Sequence, residues 1–351
     1  MADDDVDQGD GPVPPVVEPH LDVAALVDRV ESELLGGPRK YTRLEVAAMS
    51  GMDAEQSRRL WRALGFATVA DDEKVFTDSD LEALSAVHDL VDTVPLEPEL
   101  LRAMTRMLGQ TFSRLASWQG QLMLEIIAEQ PHLIESAEGT ADMIERLSVL
   151  LEHLQGYVWR RQLTAYFSRV ASSAGDGLVG AETSLVVGFA DMTQFTTLTR
   201  RATEAELRAL LETFEDLAND VVSAHHGQIV KTIGDEVLFT APTAVDGAEI
   251  ALSLVESAEA DERLPSLRVG LAAGPVVQRL GDVYGSTVNI ASRLTSLCRP
   301  GSVLVDRVMA ETLGDDERFS LRQRRPESVR GFHHLRQWRL RRAGERHSSG
   351  A

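Results

Sequence analysis

The sequence has very little cysteine and no long apolar run. Its 351 residues include one cysteine, Cys298, which excludes an internal disulfide and a zinc site built from cysteines alone. No apolar run approaches the roughly 18 residues that a membrane-spanning helix needs. We therefore expect a protein of a reducing compartment, with a cytoplasmic location and no membrane span.

Positive charge is also scarce. The chain has 35 Lys and Arg against 55 Asp and Glu, a formal net charge of −20, which argues against a general nucleic-acid binder. The first residues, Met1-Ala-Asp-Asp-Asp5, lack the basic and apolar regions of a signal peptide. Residues 1–20 are acidic and contain proline, so we expect them to be disordered.

The apolar residues between about 21 and 173 recur at helical spacing. Steps of three and four are clearest from Leu150 to Val170. The glycines of segment 174–180 break this period and indicate a linker. We predict an all-helical domain at 21–173.

The second half alternates between strand and helix patterns. Gly234-Asp235 stands between two apolar segments and predicts a hairpin, while Thr203 and Glu206 form a capping box at the start of a helix. The predicted strands are 184–190, 228–233, 236–241, about 266–273 and 302–305, and further helices are predicted at about 243–259 and 286–297. The predicted fold class is therefore α+β, with the mixed domain at 181–342 and a tail at 343–351.

Two aspartates stand where predicted strands end. Asp191 is at the end of the first strand of the mixed domain, and Asp235 is at the hairpin tip. Carboxylates held close together need a cation, and Mg²⁺ binds a few carboxylate oxygens together with substrate phosphates. The amides of residues 193–197, entering a helix, could hold phosphate oxygens. A single Gly-Asp turn is as often an ordinary solvated turn as a metal site. The metal prediction therefore depends on the presence of both aspartates.

Asn289 and Arg293 are four residues apart on a predicted helix and therefore share a face. Arginine suits a phosphoryl group that gains charge in the transition state, and asparagine can donate to and accept from a ribose hydroxyl. Alone, this pair is better explained as a solvated face. Asp282 and a glycine-containing turn precede the helix, and with Lys231 this aspartate can read a base.

Residues 184–305 resemble the class III nucleotide cyclase domain in the segments 187–196, 231–235 and 282–293. The resemblance implies a ferredoxin-like βαββαβ core and conversion of ATP to 3′,5′-cyclic AMP and pyrophosphate. The resemblance implies two Mg²⁺ or Mn²⁺ ions per site, bound by Asp191, Met192 and Asp235. It implies that Lys231 and Asp282 read adenine and that Asn289 and Arg293 are catalytic. It also implies further substrate contacts from Phe195, Thr196 and Arg330.

The resemblance also implies a head-to-tail homodimer, because each site takes its metal aspartates from one subunit and its other residues from the partner. One alternative is a diguanylate cyclase, since Ile233-Gly-Asp-Glu236 is similar to part of the GG-D-E-F signature. Ile233 replaces the first glycine, however, and segment 282–293 has no role in that family. The other alternative is a decayed domain kept for sensing or dimerisation, which would be expected to have lost one of the six residues.

Residues 39–92 resemble the helix-turn-helix start of MerR-type regulators. Their 7 Lys and Arg against 11 Asp and Glu, a balance of −4, disfavour phosphate binding, so we predict no nucleic-acid partner. The two-domain plan is similar to soluble actinobacterial cyclases with a regulatory N-terminal domain. That resemblance implies control by pH, a small ligand or a lipid, through the helix at about 150–172. The histidines His88, His132 and His153 are candidate pH sensors.

Overall fold

The computed structural model of the chain describes residues 23–94, 96–129, 137–173, 183–329 and 332–344. The predicted disordered segment 1–20, the linker 174–180, His132 and Arg330 lie outside these residues. The chain divides into two units, Met1–Gly175 and Asp176–Ala351. In the described parts of the chain, no helix combines the length and the apolar character needed to cross a bilayer.

The first unit is built mainly from helices. Its elements are α1 (Val23–Leu34), β1 (Tyr41–Thr42), α2 (Arg43–Ser50), α3 (Ala54–Leu64), β2 (Lys74–Phe76), α4 (Asp78–Thr93), α5 (Pro98–Glu129) and α6 (Ala137–Ser173). A small core joins α3, α4 and α5, in which Met52, Leu60 and Leu101 are buried.

The helical prediction for this unit needs one correction, because β1 and β2 pair as a two-stranded antiparallel sheet. Thr42 and Thr77 cap α2 and α4, and each forms a capping box with the acidic residue three positions later. An N-cap residue has an extended backbone, so a short extended stretch precedes each helix. The two stretches pair with Tyr41 opposite Phe76 and Thr42 opposite Lys74.

Helix α6 contains the apolar stripe predicted between 150 and 170. It runs unbroken through that region, yet Leu150, Leu154, Tyr157 and Val158 are 47–53% exposed. The residues described in this chain therefore leave the stripe largely uncovered. Helical spacing predicted the helix correctly, but it did not specify what the apolar face packs against.

The second unit has the α+β composition that the sequence predicts. Its elements are β3 (Thr183–Met192), α7 (Phe195–Thr199), α8 (Glu204–Ala224), β4 (Gln228–Ile233), β5 (Glu236–Ala241), α9 (Ala244–Ala260), β6 (Leu267–Arg279), β7 (Asp282–Tyr284), α10 (Ser286–Leu297), β8 (Ser302–Val305), α11 (Arg307–Leu313), β9 (Phe319–Gln323), β10 (Glu327–Val329), β11 (Phe332–Leu335) and β12 (Trp338–Arg342). The main sheet has the order β4-β5-β3-β6-β8-β12-β9, with β7 paired to β6, while β10 and β11 form a separate pair.

The two faces of the main sheet are covered differently. Side chains alternate between the faces along each strand. On one face, α8, α9 and α11 pack on Val237, Phe239 and Leu271. On the other, α10 packs on Val187, Phe189 and Leu238 through Ala291. Asp191 belongs to this second face, because it is two and four residues from Phe189 and Val187.

Helix α10 lies unusually close to the sheet at Gly270 of β6. A Cβ atom at Gly270 would be 2.3 Å from the backbone nitrogen of Thr295 and 2.6 Å from the carbonyl oxygen of Ala291. The Thr287 hydroxyl anchors the helix by donating to the Pro275 carbonyl at 2.8 Å. The Thr295 hydroxyl lies 3.3 Å from the Phe189 carbonyl and 3.0 Å from the Ala291 carbonyl of its own helix. The absent side chain at Gly270 thus sets the height of α10 above the sheet.

We predict that Gly270→Ala destabilises the protein, because the added methyl group forces α10 away from β6. Overpacking of this kind costs about 1–3 kcal/mol, which corresponds to a loss of about 2–12 °C in Tm for a unit of this size. Calorimetry of the full chain measures the shift. Gly120→Ala is the matched control, since its Cβ would meet nothing within 4 Å. An unchanged Tm in Gly270→Ala would contradict the close packing.

Candidate active site

A row of charged side chains crosses the centre of the sheet at Asp191. In the register of β3 with its neighbours, Asp191 is opposite Glu236 of β5 and Arg268 of β6. Arg268 Nε donates to Asp191 Oδ2 at 2.5 Å. Asp235 adjoins this row in the β4–β5 turn, where its carbonyl accepts from the Met192 amide at 3.0 Å. The structure therefore brings Asp191 and Asp235 to the same place, as the sequence predicted.

These carboxylates repel one another in a partly buried position. Burial raises the pKa of Asp191, helped by the charge of Asp235 and opposed by the hydrogen bond and charge of Arg268. Burial, followed by the negative charges of Asp191 and Asp235, raises the pKa of Glu236 to about 6. One guanidinium is thus set against three carboxylates, and a bound cation would relieve the repulsion.

The donor set fits a divalent metal that is completed by water and substrate. Among the described residues there is no group of three or more His, Cys, Asp or Glu arranged as a metal site. Mg²⁺ usually keeps several waters and is held by one or two carboxylates together with substrate phosphates, so Asp191 and Asp235 suffice. Met192 is buried, which leaves only its main-chain carbonyl as a possible ligand.

Lys231 and Asp282 meet although they are 51 residues apart. Lys231 of β4 donates through Nζ to Asp282 Oδ2 of β7 at 2.5 Å. The Val283 amide donates to the other carboxylate oxygen at 2.8 Å. Partial burial acts to raise the pKa of Asp282, but the hydrogen bonds from Lys231 and Val283 outweigh it and lower the pKa. The pair presents an ammonium donor and a carboxylate acceptor side by side.

Helix α10 carries the last two residues of the predicted set. Asn289 is exposed and Arg293 is half-buried, on the helix held close to β6. Within the described parts of the chain, neither side chain has a hydrogen-bond or ion-pair partner. The Arg293 guanidinium is therefore available for an anion.

The predicted phosphate cradle at residues 193–197 is reduced, because two of its five amides already have partners in the structure. The Thr193 amide donates to the Ser266 carbonyl and the Thr197 amide to the Gln194 carbonyl, at 3.0 and 2.9 Å, so both are already engaged. Helix α7 is a single short turn of 5 residues, and the strand register of the preceding residues directs the first amide into the sheet. Phe195 packs against the core and Thr196 is exposed.

Glu236 and Arg268 are neighbours of the site that no sequence motif predicted. Each is a charged residue in an otherwise apolar strand, Glu236-Val-Leu-Phe and Leu267-Arg-Val-Gly-Leu, and that interruption was the available signal. Their position beside Asp191 depends on pairing between β3, β5 and β6, strands that are distant in the chain.

Both halves of the chain match known family models. Residues 181–342 match the adenylate and guanylate cyclase catalytic domain, and residues 23–163 match the adenylate cyclase regulatory domain. The fold and the site therefore define a nucleotide cyclase with a regulatory domain attached.

Curated relatives narrow this class. An adenylate cyclase of Streptomyces coelicolor is 44% identical over 87% of this chain and 81% of its own, and one of Glutamicibacter nicotianae is 36% identical over 90% and 82%. A pH-sensitive adenylate cyclase of Mycobacterium tuberculosis is 32% identical over 87% and 79%. The chain belongs to the adenylate cyclase family.

We predict that Glu236→Gln stabilises the metal-free protein at pH 8. The pKa of Glu236 is raised in the folded state, so its ionised form opposes folding above pH 6, and this penalty disappears as the pH falls toward 4.5. Allowing for partial exposure, we expect a gain of on the order of 1 kcal/mol, or about 2–4 °C in Tm. Melting curves in chelator at pH 8 and pH 5 measure it. An equal shift at both pH values would exclude the electrostatic cause.

Proposed function

We propose that the protein converts ATP to 3′,5′-cyclic AMP and pyrophosphate with divalent metal ions. The contact between Lys231 and Asp282 carries the choice of ATP, because it assembles a donor and an acceptor for one edge of a purine. A lysine ammonium can only donate and an ionised aspartate can only accept. Lys231 therefore donates to a ring nitrogen of adenine, and Asp282 accepts from its exocyclic amine.

The remaining site residues bind the metals, the ribose and the phosphates. Asp191 and Asp235 would hold the metals, which we propose to be two Mg²⁺ or Mn²⁺ ions. Such ions would activate the ribose hydroxyl and stabilise the leaving pyrophosphate. Arg268 keeps Asp191 oriented through its 2.5 Å hydrogen bond. Asn289 binds the ribose, and Arg293 stabilises the charge that develops on the phosphoryl oxygens.

We propose that the sites form in a head-to-tail homodimer. The chain carries each predicted site residue once, and among the described helices only α10 packs on the sheet face that carries Asp191. Apolar side chains next to the site residues are more than half exposed: Ile233, Val277 and Tyr284. A second copy covering this face would bury them and complete two equivalent sites.

The substrate assignment predicts the effect of changing the base-reading pair. Lys231→Glu with Asp282→Cys should lower kcat/KM for ATP roughly tenfold to hundredfold, because the bound base loses its hydrogen-bond partners, at about 1–3 kcal/mol. Cyclic product is measured separately from ATP and GTP. Lys74→Glu, a charge reversal at an exposed lysine, is the control. Unchanged ATP kinetics would remove both residues from base reading, and no cyclic product from the parent chain would refute the cyclase activity.

The shared site predicts complementation between inactive chains. Asp191→Ala and Arg293→Ala should each be nearly inactive alone, and mixing them should restore part of the activity, since each heterodimer contains one intact site. Asp191→Ala mixed with Asp235→Ala is the matched control and should recover nothing, because both changes affect the same half-site. Recovery in neither mixture, with subunit exchange demonstrated by mass, would count against a shared site.

We further propose that the first unit regulates the second, as its match to a regulatory domain supports. The signal would be pH or a small ligand such as a lipid. His88 Nε2 lies 3.6 Å from Asp92 Oδ2, whereas His153 is exposed. The pH–rate profiles of His88→Gln and His153→Gln, compared with that of the parent chain, test each histidine as the sensor. Parallel profiles in both variants would exclude His88 as the sensor, and stimulation by lipid vesicles would then favour a lipid.

A further inference from the structure

A broad groove opens in the first unit where α3 crosses α5. The two helices touch at Gly109, where a Cβ atom would lie 2.3 Å from the Leu64 carbonyl oxygen. Beside this crossing is an open space of about 1600 Å³. Gly65 ends α3 in the left-handed conformation, which turns Phe66 toward the groove.

The groove is strongly basic although the protein is acidic. Its lining includes no Asp or Glu but contains Arg59, Arg62, Arg102, Arg106 and Arg114. Arg59 pairs with Glu55 and Arg102 with Glu99. The other three have no ion-pair partner among the residues that the structure describes. Uncompensated arginines gathered in one place indicate a binding surface for an anionic group.

The same groove is also apolar. Phe66, Leu108 and Phe112 line it and are 53%, 53% and 51% exposed, and the Phe66 ring packs on Trp61 at a centroid distance of 4.4 Å. An occupant that combines negative charge with apolar groups would satisfy both features. A simple inorganic anion would leave the aromatic and leucine side chains exposed.

We propose that the groove binds the acidic N-terminal segment of this chain, residues 3–17. Five aspartates stand within the first ten residues, and Val13-Pro-Pro-Val-Val17 follows them, with no Lys or Arg up to residue 20. The segment therefore supplies both negative charge and apolar side chains, which complement the arginines and the apolar residues that line the groove. Twenty extended residues span roughly 66 Å, more than the roughly 48 Å length of the 32-residue α5.

The expected interaction is electrostatic and dependent on tethering. Single exposed ion pairs contribute little, so several arginines and the apolar contacts must act together. Attachment to the same chain gives the segment a high effective concentration at the groove. Salt should weaken the interaction, because the charges on both sides are exposed and screened.

The test uses a variant of the full chain in which Asp3, Asp4, Asp5 and Asp7 are changed to Asn, so that the tethered segment no longer occupies the groove. The probe is a fluorescent peptide of residues 1–20. Fluorescence anisotropy should show that the peptide binds this variant, and binds the parent more weakly because the tethered segment competes. Adding Arg62→Gln and Arg106→Gln should weaken peptide binding roughly three- to tenfold. Adding Arg160→Gln and Arg161→Gln, two exposed arginines outside the groove, should not.

A peptide with the same aspartates changed to asparagine tests the contact without altering the protein, and it should bind clearly more weakly. Three results would each overturn the proposal: the two peptides bind equally well, the groove and control variants bind the peptide equally well, or the parent and the aspartate variant bind it equally well. An oligonucleotide and anionic lipid vesicles are the alternative ligands to test on the parent. If one of them binds, the four aspartate changes do not affect that binding and the two groove arginine changes abolish it, the groove has a different occupant, and the proposal is overturned.

Discussion

The register of strand β3 between β5 and β6 is the constraint on which the catalytic unit depends. It puts Asp191 opposite Glu236 on one side and Arg268 on the other. Because side chains alternate along a strand, a slip of one residue would move Asp191 to the face packed by α8, α9 and α11. The same register buries Val187 and Phe189 under α10, so the packing of these apolar residues and the position of Asp191 are fixed together.

Charge is distributed unevenly in each unit. In the catalytic unit, three carboxylates share one arginine, and the raised pKa of Glu236, about 6, records the repulsion that remains. In the first unit, arginines line a groove without an acidic residue among the lining side chains. Both arrangements indicate a missing partner of opposite charge. We assign divalent metal with ATP to the first and the acidic N-terminal segment to the second.

Local patterns were sufficient for most elements of the catalytic unit. The hairpin at Gly234-Asp235 and helix α10 have the predicted bounds, since turn residues and helical spacing act within a few positions. Strand β6 extends to Arg279, beyond the predicted end near 273, because its last residues pair with β7. The all-helical prediction missed β1 and β2. These two strands pair with each other although the paired residues are more than 30 positions apart in the chain.

The sequence by itself determined which residues could do the chemistry and in what order they occur. It specified Asp191 and Asp235, the pair proposed to read the base, and the helix that carries Asn289 and Arg293. Only the tertiary structure decided which of them meet: Lys231 reaches Asp282, and Asp191 acquires Glu236 and Arg268 as neighbours. The physical reason is that strand pairing and the close approach of α10 at Gly270 join residues that are far apart in the sequence. A local sequence pattern contains only one member of each such contact, so it cannot specify which side chains become neighbours.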